Sequence, residues 1–280
     1  MSRTAVIDCG TNTFNLRIVD FNKTLGPGRW KEVFSLRLPV KLGKGGVGKG
    51  IILPERIARG IDAIGVMREA IHNYSVEEVH IFATSALRDA SNSAEFVEPV
   101  SKRFGYKVNI ISGAAEASLI QSGLELTYQP PSSKNVLTMD IGGGSTECIF
   151  WHKDKIIWSR SFDVGVARMA NLFKMKDRFG TNRDEAYEEI KPFLDETLQP
   201  LKIALENIKL PEFTTLNMTA PIMGTVFAIF FLKEKLNTLT YLSLVAVSSI
   251  FERAGLKIYD VEELNTHGGS LRIYGCHIED

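Results

Sequence analysis

Two stretches of the chain repeat one pattern 132 residues apart. Ala5-Val6-Ile7-Asp8-Cys9-Gly10-Thr11-Asn12-Thr13-Phe14 lies over Leu137-Thr138-Met139-Asp140-Ile141-Gly142-Gly143-Gly144-Ser145-Thr146. Each reads as an apolar strand ending in Asp-x-Gly, a short turn of Gly, Thr, Ser or Asn, and a second strand. A chain built this way holds two copies of one strand–turn–strand unit, each with a loop of phosphate size. Glycine lets backbone N–H groups approach an anion, and the hydroxyls add donors. Gly10, Thr11, Asn12 and Thr13 are the phosphate-binding candidates of the first copy, and Gly142, Gly143, Gly144 and Ser145 those of the second. Asp8 and Asp140, at the strand ends, are candidates to hold a hydrated Mg²⁺, which favours carboxylate oxygens. One such hairpin could use Asp and Gly for turn geometry alone. Two in one chain favour the functional reading.

The rest of the front of the chain alternates strands and helices. Pro54 opens a helix in which Ile57, Ile61, Ile64 and Ile71 share a face. Residues 79–83 and 108–111 read as strands, 93–104 and 114–124 as helices, and 183–207 as a mostly helical stretch that Pro192 and Pro200 break or kink. The class is α/β. One motif misleads. Gly43-Lys44-Gly45-Gly46-Val47-Gly48-Lys49-Gly50 nearly matches a P-loop. Gly50 replaces the Mg²⁺-binding hydroxyl, and Ile51-Ile52-Leu53-Pro54 delays the helix. This stretch is expected to be a flexible glycine loop.

Composition removes several function classes. Thirty-three basic and 33 acidic residues cancel, so no nucleic-acid partner drawn by a global positive field is expected. Cys9, Cys148 and Cys276 lie far apart and form no zinc or disulfide framework. The N-terminus carries no apolar signal region, which makes a reducing cytoplasm the expected location. Leu216–Leu232 and Leu236–Phe251 are uncharged runs of 17 and 16 residues. Both fall short of a membrane span of about 20 residues, so no membrane partner is expected. A homodimer is carried as an open expectation.

Five segments in order carry a resemblance to a known family: Asp8-Cys9-Gly10-Thr11-Asn12-Thr13, Leu42-Gly43-Lys44-Gly45, Ala83-Thr84-Ser85-Ala86-Leu87-Arg88-Asp89-Ala90, Ile111-Ser112-Gly113-Ala114-Ala115-Glu116-Ala117, and Asp140-Ile141-Gly142-Gly143-Gly144-Ser145-Thr146-Glu147. Over residues 1 to about 210 the chain resembles the exopolyphosphatase/guanosine pentaphosphate phosphatase (Ppx/GppA) family. The resemblance implies two ribonuclease-H-like domains of the actin-like ATPase superfamily flanking a cleft, assigned here to 1–121 and 122–280. It implies Mg²⁺-dependent hydrolysis of phosphoanhydride bonds in polyphosphate or guanosine pentaphosphate. By resemblance Glu116 is the catalytic base, Arg88 a cationic donor to phosphate, and Glu147 a second carboxylate for water or metal. Each also has a plain structural reading: a first-turn helix carboxylate, a surface ion pair, and a solvent-facing strand residue. Ala115 departs from the family, whose members often carry a second acid there.

From about residue 211 the chain departs from that pattern. Residues 217–248 look similar to a two-helix piece of a drug/metabolite transporter, and 250–277 to the edge of a sugar C-methyltransferase. The chain reads as a mosaic, a possible chimera, and the tail is expected either to pack as helices of the second domain or to stand apart as an apolar appendage. A catalytically inactive phosphate- or nucleotide-binding module is the alternative function. A kinase of the same superfamily is weakened because the late glycine loop is not found.

Overall fold

The computed structural model describes residues 2–21, 30–126, 135–152, 155–173, 183–207, 216–218, 256–264 and 270–277. The chain divides into two units, Met1–Ala115 and Glu116–Asp280.

In the first unit β1 (Ser2–Cys9) and β2 (Phe14–Phe21) form an antiparallel hairpin, and β3 (Trp30–Leu38) adds antiparallel to β2. A single 3-10 turn, Val47–Lys49, precedes α1 (Pro54–Asn73). Then come β4 (Glu78–Ala83), the short α2 (Ser85–Arg88), α3 (Ala94–Phe104) and β5 (Val108–Ile110). β4 runs parallel to β1, and β5 parallel to β4. The sheet order is β3-β2-β1-β4-β5, in keeping with a ribonuclease-H-like domain.

Alternation drives the hairpin: Ala5, Ile7 and Cys9 of β1 and Phe14, Leu16 and Ile18 of β2 are buried, while Asp8 and Arg17 point outward. α1 starts at Pro54, whose missing N–H costs nothing in the first turn. It buries Ile57, Ile64, Met67 and Ile71, with Ile61 half-buried. A Cβ on Gly60 would lie 2.9 Å from the Phe96 ring, so α1 meets α3 closely only because that side chain is hydrogen. Phe96 in turn meets Phe14 edge-on, with ring centres 5.9 Å apart. α3 ends at Gly105, φ 75°, a left-handed cap that glycine takes without strain.

The second unit begins inside α4 (Gly113–Glu125). β6 (Asn135–Ile141), β7 (Thr146–His152) and β8 (Lys155–Phe162) form an antiparallel meander. α5 (Val166–Leu172), α6 (Arg183–Thr197) and α7 (Gln199–Asn207) follow; the last two are separated next to Pro200 as the sequence predicts, whereas Pro192 lies inside α6 and does not end it. β9 (Leu216–Met218) runs parallel to β6, just as β4 runs parallel to β1. The repeat is therefore four strands deep: β8-β7-β6-β9 matches β3-β2-β1-β4. It ends at the fifth strand. β5 is parallel to β4, whereas β11 (Ser270–His277), itself paired with β10 (Leu256–Leu264), is antiparallel to β9. Trp151, buried in β7, donates its indole N–H to Thr138 Oγ1 at 2.9 Å, so its buried polar group is paired.

The described parts of the tail are thus strands of the second sheet, not helices. The two uncharged runs, beyond Leu216–Met218, lie outside the described residues. Among the described residues no helix is long and apolar enough to cross a membrane. β3 and β8 escape the sequence reading for one reason. Both mix charged and apolar residues, Trp30 to Leu38 and Lys155 to Phe162, and each has a sheet neighbour on one side only.

Deleting residues 212–280 removes β9 and uncovers the edge of β6. The truncated chain should aggregate and lose the melting transition of the second unit. A soluble truncated chain with an unchanged thermal profile would show that the tail is an appendage.

Candidate active site

The first turn joins β1 to β2. Gly10 N–H donates to Thr13 O at 3.1 Å and closes it. A loop 30 residues later then takes its carbonyls: Gly43 N–H donates to Thr11 O at 2.9 Å and Lys41 N–H to Asn12 O at 2.7 Å. The approach needs glycine, since a Cβ on Gly43 would sit 2.5 Å from Thr11 Cγ2. Lys41 takes a left-handed backbone, φ 56°, to make its bond. The glycine loop is therefore not the flexible segment expected from its sequence. Its far end is also tied down: Gly50 O accepts the Ser91 N–H at 2.9 Å, and the Asn92 amide both donates to and accepts from the Ile52 backbone at 2.9 Å. No P-loop forms; the stretch is a brace for the first turn.

The second turn repeats the device with other parts. Gly142 N–H donates to Ser145 O at 2.9 Å. The start of α5 then takes the carbonyls: Val166 N–H donates to Gly142 O at 3.0 Å, and Ala167 and Arg168 N–H to Gly143 O at 2.7 and 3.0 Å. The Arg168 Nε donates to Gly144 O at 2.7 Å, with Asp163 3.5 Å from the same guanidinium. Thr146 Oγ1 donates to Val164 O and holds the intervening segment. Gly165 packs on the turn so closely that a Cβ would lie 2.4 Å from the Gly144 carbonyl carbon. In both turns the carbonyls are thus engaged from behind. Among the described residues nothing accepts the N–H groups of Thr11 and Asn12 or of Gly143 and Gly144. What each turn leaves without a carbonyl partner is backbone N–H, the polarity an anion requires.

Three carboxylates gather in the second unit. Asp140 and Glu147 face each other across β6 and β7. Glu147 is 1% exposed; the hydroxyls of Ser161, at 2.7 Å, and Ser145 donate to it. Glu116 lies half-buried in the first turn of α4, whose end is capped by the Ser112 hydroxyl accepting the Ala115 N–H at 3.2 Å. Ala115 stands three residues past the cap, where an acid would have reached back to the cap backbone. Burial foremost, then the charge of Glu116 and, more weakly, that of Asp140, push Glu147 up to about 8 against the pull of the two serines. Glu147 is therefore no solvent-facing strand residue.

Arg88 ends α2 half-buried, its Nε 3.6 Å from Asp89 and a terminal nitrogen donating to Ile111 O at 3.3 Å. It thus grips the chain one residue ahead of the Ser112 cap. Arg168, Gly165, Lys41 and Asn92 were not singled out in the sequence. Only the glycines of the 43–50 stretch signalled a close backbone approach, and they read as flexibility.

These donors fit a hard, hydrated cation. Like-charge crowding around Glu147 is what a divalent ion relieves, and Asp8 and Asp140 sit at equivalent strand ends. Among the described residues no three His, Cys, Asp or Glu side chains converge into a cage. Mg²⁺ does not need one, since it keeps waters and takes one or two carboxylates with phosphate oxygens. A thiol-bound metal fits poorly: Cys9 and Cys148 are buried, and burial pushes both thiols up and away from the thiolate form.

Two copies of one ribonuclease-H-like sheet, each with a braced glycine or hydroxyl turn, define the class of this chain. Residues 23–251 match the Ppx/GppA phosphatase family, and the chain belongs to that family. It is 30% identical over 200 residues to the guanosine-5'-triphosphate,3'-diphosphate pyrophosphatase of Pseudoalteromonas translucida, covering 71% of this chain and 39% of that one. It is 31% identical over 214 residues to exopolyphosphatase 2 of Mycobacterium tuberculosis, covering 73% and 66%. The crystal structure of an exopolyphosphatase from Cytophaga hutchinsonii superimposes with a TM-score of 0.70 at 32% identity, over 84% of this chain and 73% of that one. The chain spans about half the length of the curated relatives it matches, 50% for a Haemophilus influenzae relative that is 33% identical.

Two outcomes follow from this geometry. Gly165→Ala drives a methyl into backbone that cannot yield, so it should destabilise the second unit by ~3 kcal/mol, the upper end of overpacking costs. Urea unfolding measures this; a neutral change would mean that the turn is not braced as described. The second outcome concerns Glu147. A carboxyl that holds its proton more tightly folded than unfolded contributes stability that is complete below its unfolded value and lost as pH rises through the folded one. Without divalent metal, the stability of the second unit should fall between pH ~5 and ~8, and Glu147→Gln should remove that part of the slope. Parallel slopes for the two proteins would contradict the burial of Glu147.

Proposed function

We propose that this chain is a Mg²⁺-dependent phosphoanhydride hydrolase, releasing phosphate from polyphosphate or guanosine pentaphosphate in a reducing cytoplasm. The observation that carries this reading is the pair of turns whose carbonyls are engaged from behind, with carboxylates beside the second. Family membership supports it, as do the exopolyphosphatase and pyrophosphatase activities by which the relatives are named. In each unit the turn takes phosphate oxygens on its backbone N–H groups, those of Thr11 and Asn12 in the first and of Gly143 and Gly144 in the second, with the hydroxyls of Thr13 and Ser145 as further donors. Asp8 in the first unit and Asp140 in the second each stand at a strand end suited to hold a hydrated ion, which would supply charge neutralisation when bound. Glu116 takes the proton of the attacking water. Glu147, braced by Ser145 and Ser161, keeps its neighbour carboxylates in place. Arg88 anchors the end of β5 from which the Glu116 helix starts, and its guanidinium is a cationic donor suited to phosphate.

Glu116→Gln keeps shape and removes the base. Turnover of polyphosphate should fall by roughly 10²–10⁴-fold, with binding nearly unchanged. A wild-type chain that binds polyphosphate and releases no phosphate in Mg²⁺ would establish the binding module instead. A Gln variant with full turnover would remove Glu116 from the mechanism.

A further inference from the structure

The two hairpins differ in the row of side chains that crosses them. In the first unit the strand register places Asp8 opposite Asn15, and Asn15 opposite Arg37. The side chains use that alignment. Arg37 Nε donates to Asn15 Oδ1 at 3.0 Å, and Asn15 Nδ2 donates to Asp8 Oδ2 at 3.1 Å. In the second unit the equivalent row is Asp140, Glu147 and Ser161, with Ser161 donating to Glu147. One row presents a neutral amide to its aspartate, and the other presents a carboxylate.

An asparagine amide has a donor end and an acceptor end of almost the same shape. Beside a carboxylate, one orientation donates and the other sets oxygen against oxygen. Arg37 decides between them, because a guanidinium has only donors and must take the amide oxygen. The NH₂ group is then turned to Asp8. No residue of this row other than Asp8 itself is a carboxylate.

We propose that Arg37 is a positioning residue for the first phosphate turn: acting through Asn15, it holds the Asp8 carboxylate in one orientation for a divalent cation carried by a phosphate chain. The proposal rests on the hydrolase reading for its substrate class, but its geometry lies wholly in β1, β2 and β3. Arg37 itself is exposed on its strand, and its hydrogen bond goes to Asn15 on β2 rather than to the turn.

The test uses the full chain with Arg37→Met, Arg37→Lys, Asn15→Leu and the Met/Leu double variant. Mn²⁺ binding is read by electron paramagnetic resonance in the presence of imidodiphosphate, and Mg²⁺ dependence by phosphate release from polyphosphate. Arg37→Met should weaken Mn²⁺ binding and raise the half-saturating Mg²⁺ by roughly 3–10-fold, the scale of one net hydrogen bond. The rate at saturating Mg²⁺ and the melting temperature should stay near the wild-type values. Arg37→Lys should restore at least half of the loss. Asn15→Leu should match Arg37→Met, and the double variant should be no worse than either, because both cut one chain of bonds. Additive losses, an unchanged metal dependence in Arg37→Met, or a wild-type chain that binds no Mn²⁺ would overturn the proposal. A chain that releases no phosphate, yet loses Mn²⁺ affinity on Arg37→Met, would overturn the hydrolase reading and uphold the row.

Discussion

A peptide unit carries an N–H and a C=O together, so a turn attracts an anion only when its carbonyls are engaged elsewhere. Both turns of this chain meet that condition, and much of the surrounding structure serves it. In the first unit the glycine stretch after β3 supplies Lys41 and Gly43 N–H. In the second the start of α5 supplies three N–H groups and the Arg168 guanidinium, 11% exposed. The close approaches at Gly43 and Gly165 follow from this, as does the left-handed Lys41. An arginine that spends its charge on a backbone carbonyl is costly to bury, and Asp163 on the same guanidinium offsets part of that cost.

The two units share a sheet order through four strands, yet their turns sit in different surroundings. β2 alternates buried and open positions, so Asn15 and Asp8 reach solvent. β7 is buried along almost its whole length, so Glu147 is enclosed. The same strand position thus holds a neutral amide in a wet place and a proton-holding carboxyl in a dry one. This difference in burial, more than any difference in backbone, lets duplicated hairpins take different chemical parts.

The echo at Asp8 and Asp140 was legible because a hairpin is local: its strands, its Asp-x-Gly and its closing pair lie within ten residues. The helix at Pro54 and the strands around the turns were legible from periodicity and apolar runs. The bracing was not, because it joins Thr11 to Gly43 and Gly144 to Arg168 through bonds that leave no mark on composition. The glycines of residues 43–50 suggest freedom by composition, yet Gly43 and Gly46 serve close backbone approaches and Gly45 and Gly50 take left-handed backbone. β3, β8 and the tail strands were missed because mixed or short strands take their order from neighbours rather than from their own pattern. Glu147 stands out in the sequence as a candidate, but its enclosure beside Ser161 of β8 cannot be read from its own strand.

Phosphate binding by the N–H groups of the two turns is the central physical claim. A titration with imidodiphosphate and Mg²⁺, followed by amide proton and nitrogen shifts of the labelled chain, reads this at each residue. The predicted result is a downfield, saturating movement of the Thr11, Asn12, Gly143 and Gly144 amides, with the braced amides of Gly43 and Ala167 moving far less. Shifts scattered over surface lysines, with the four turn amides still, would contradict it.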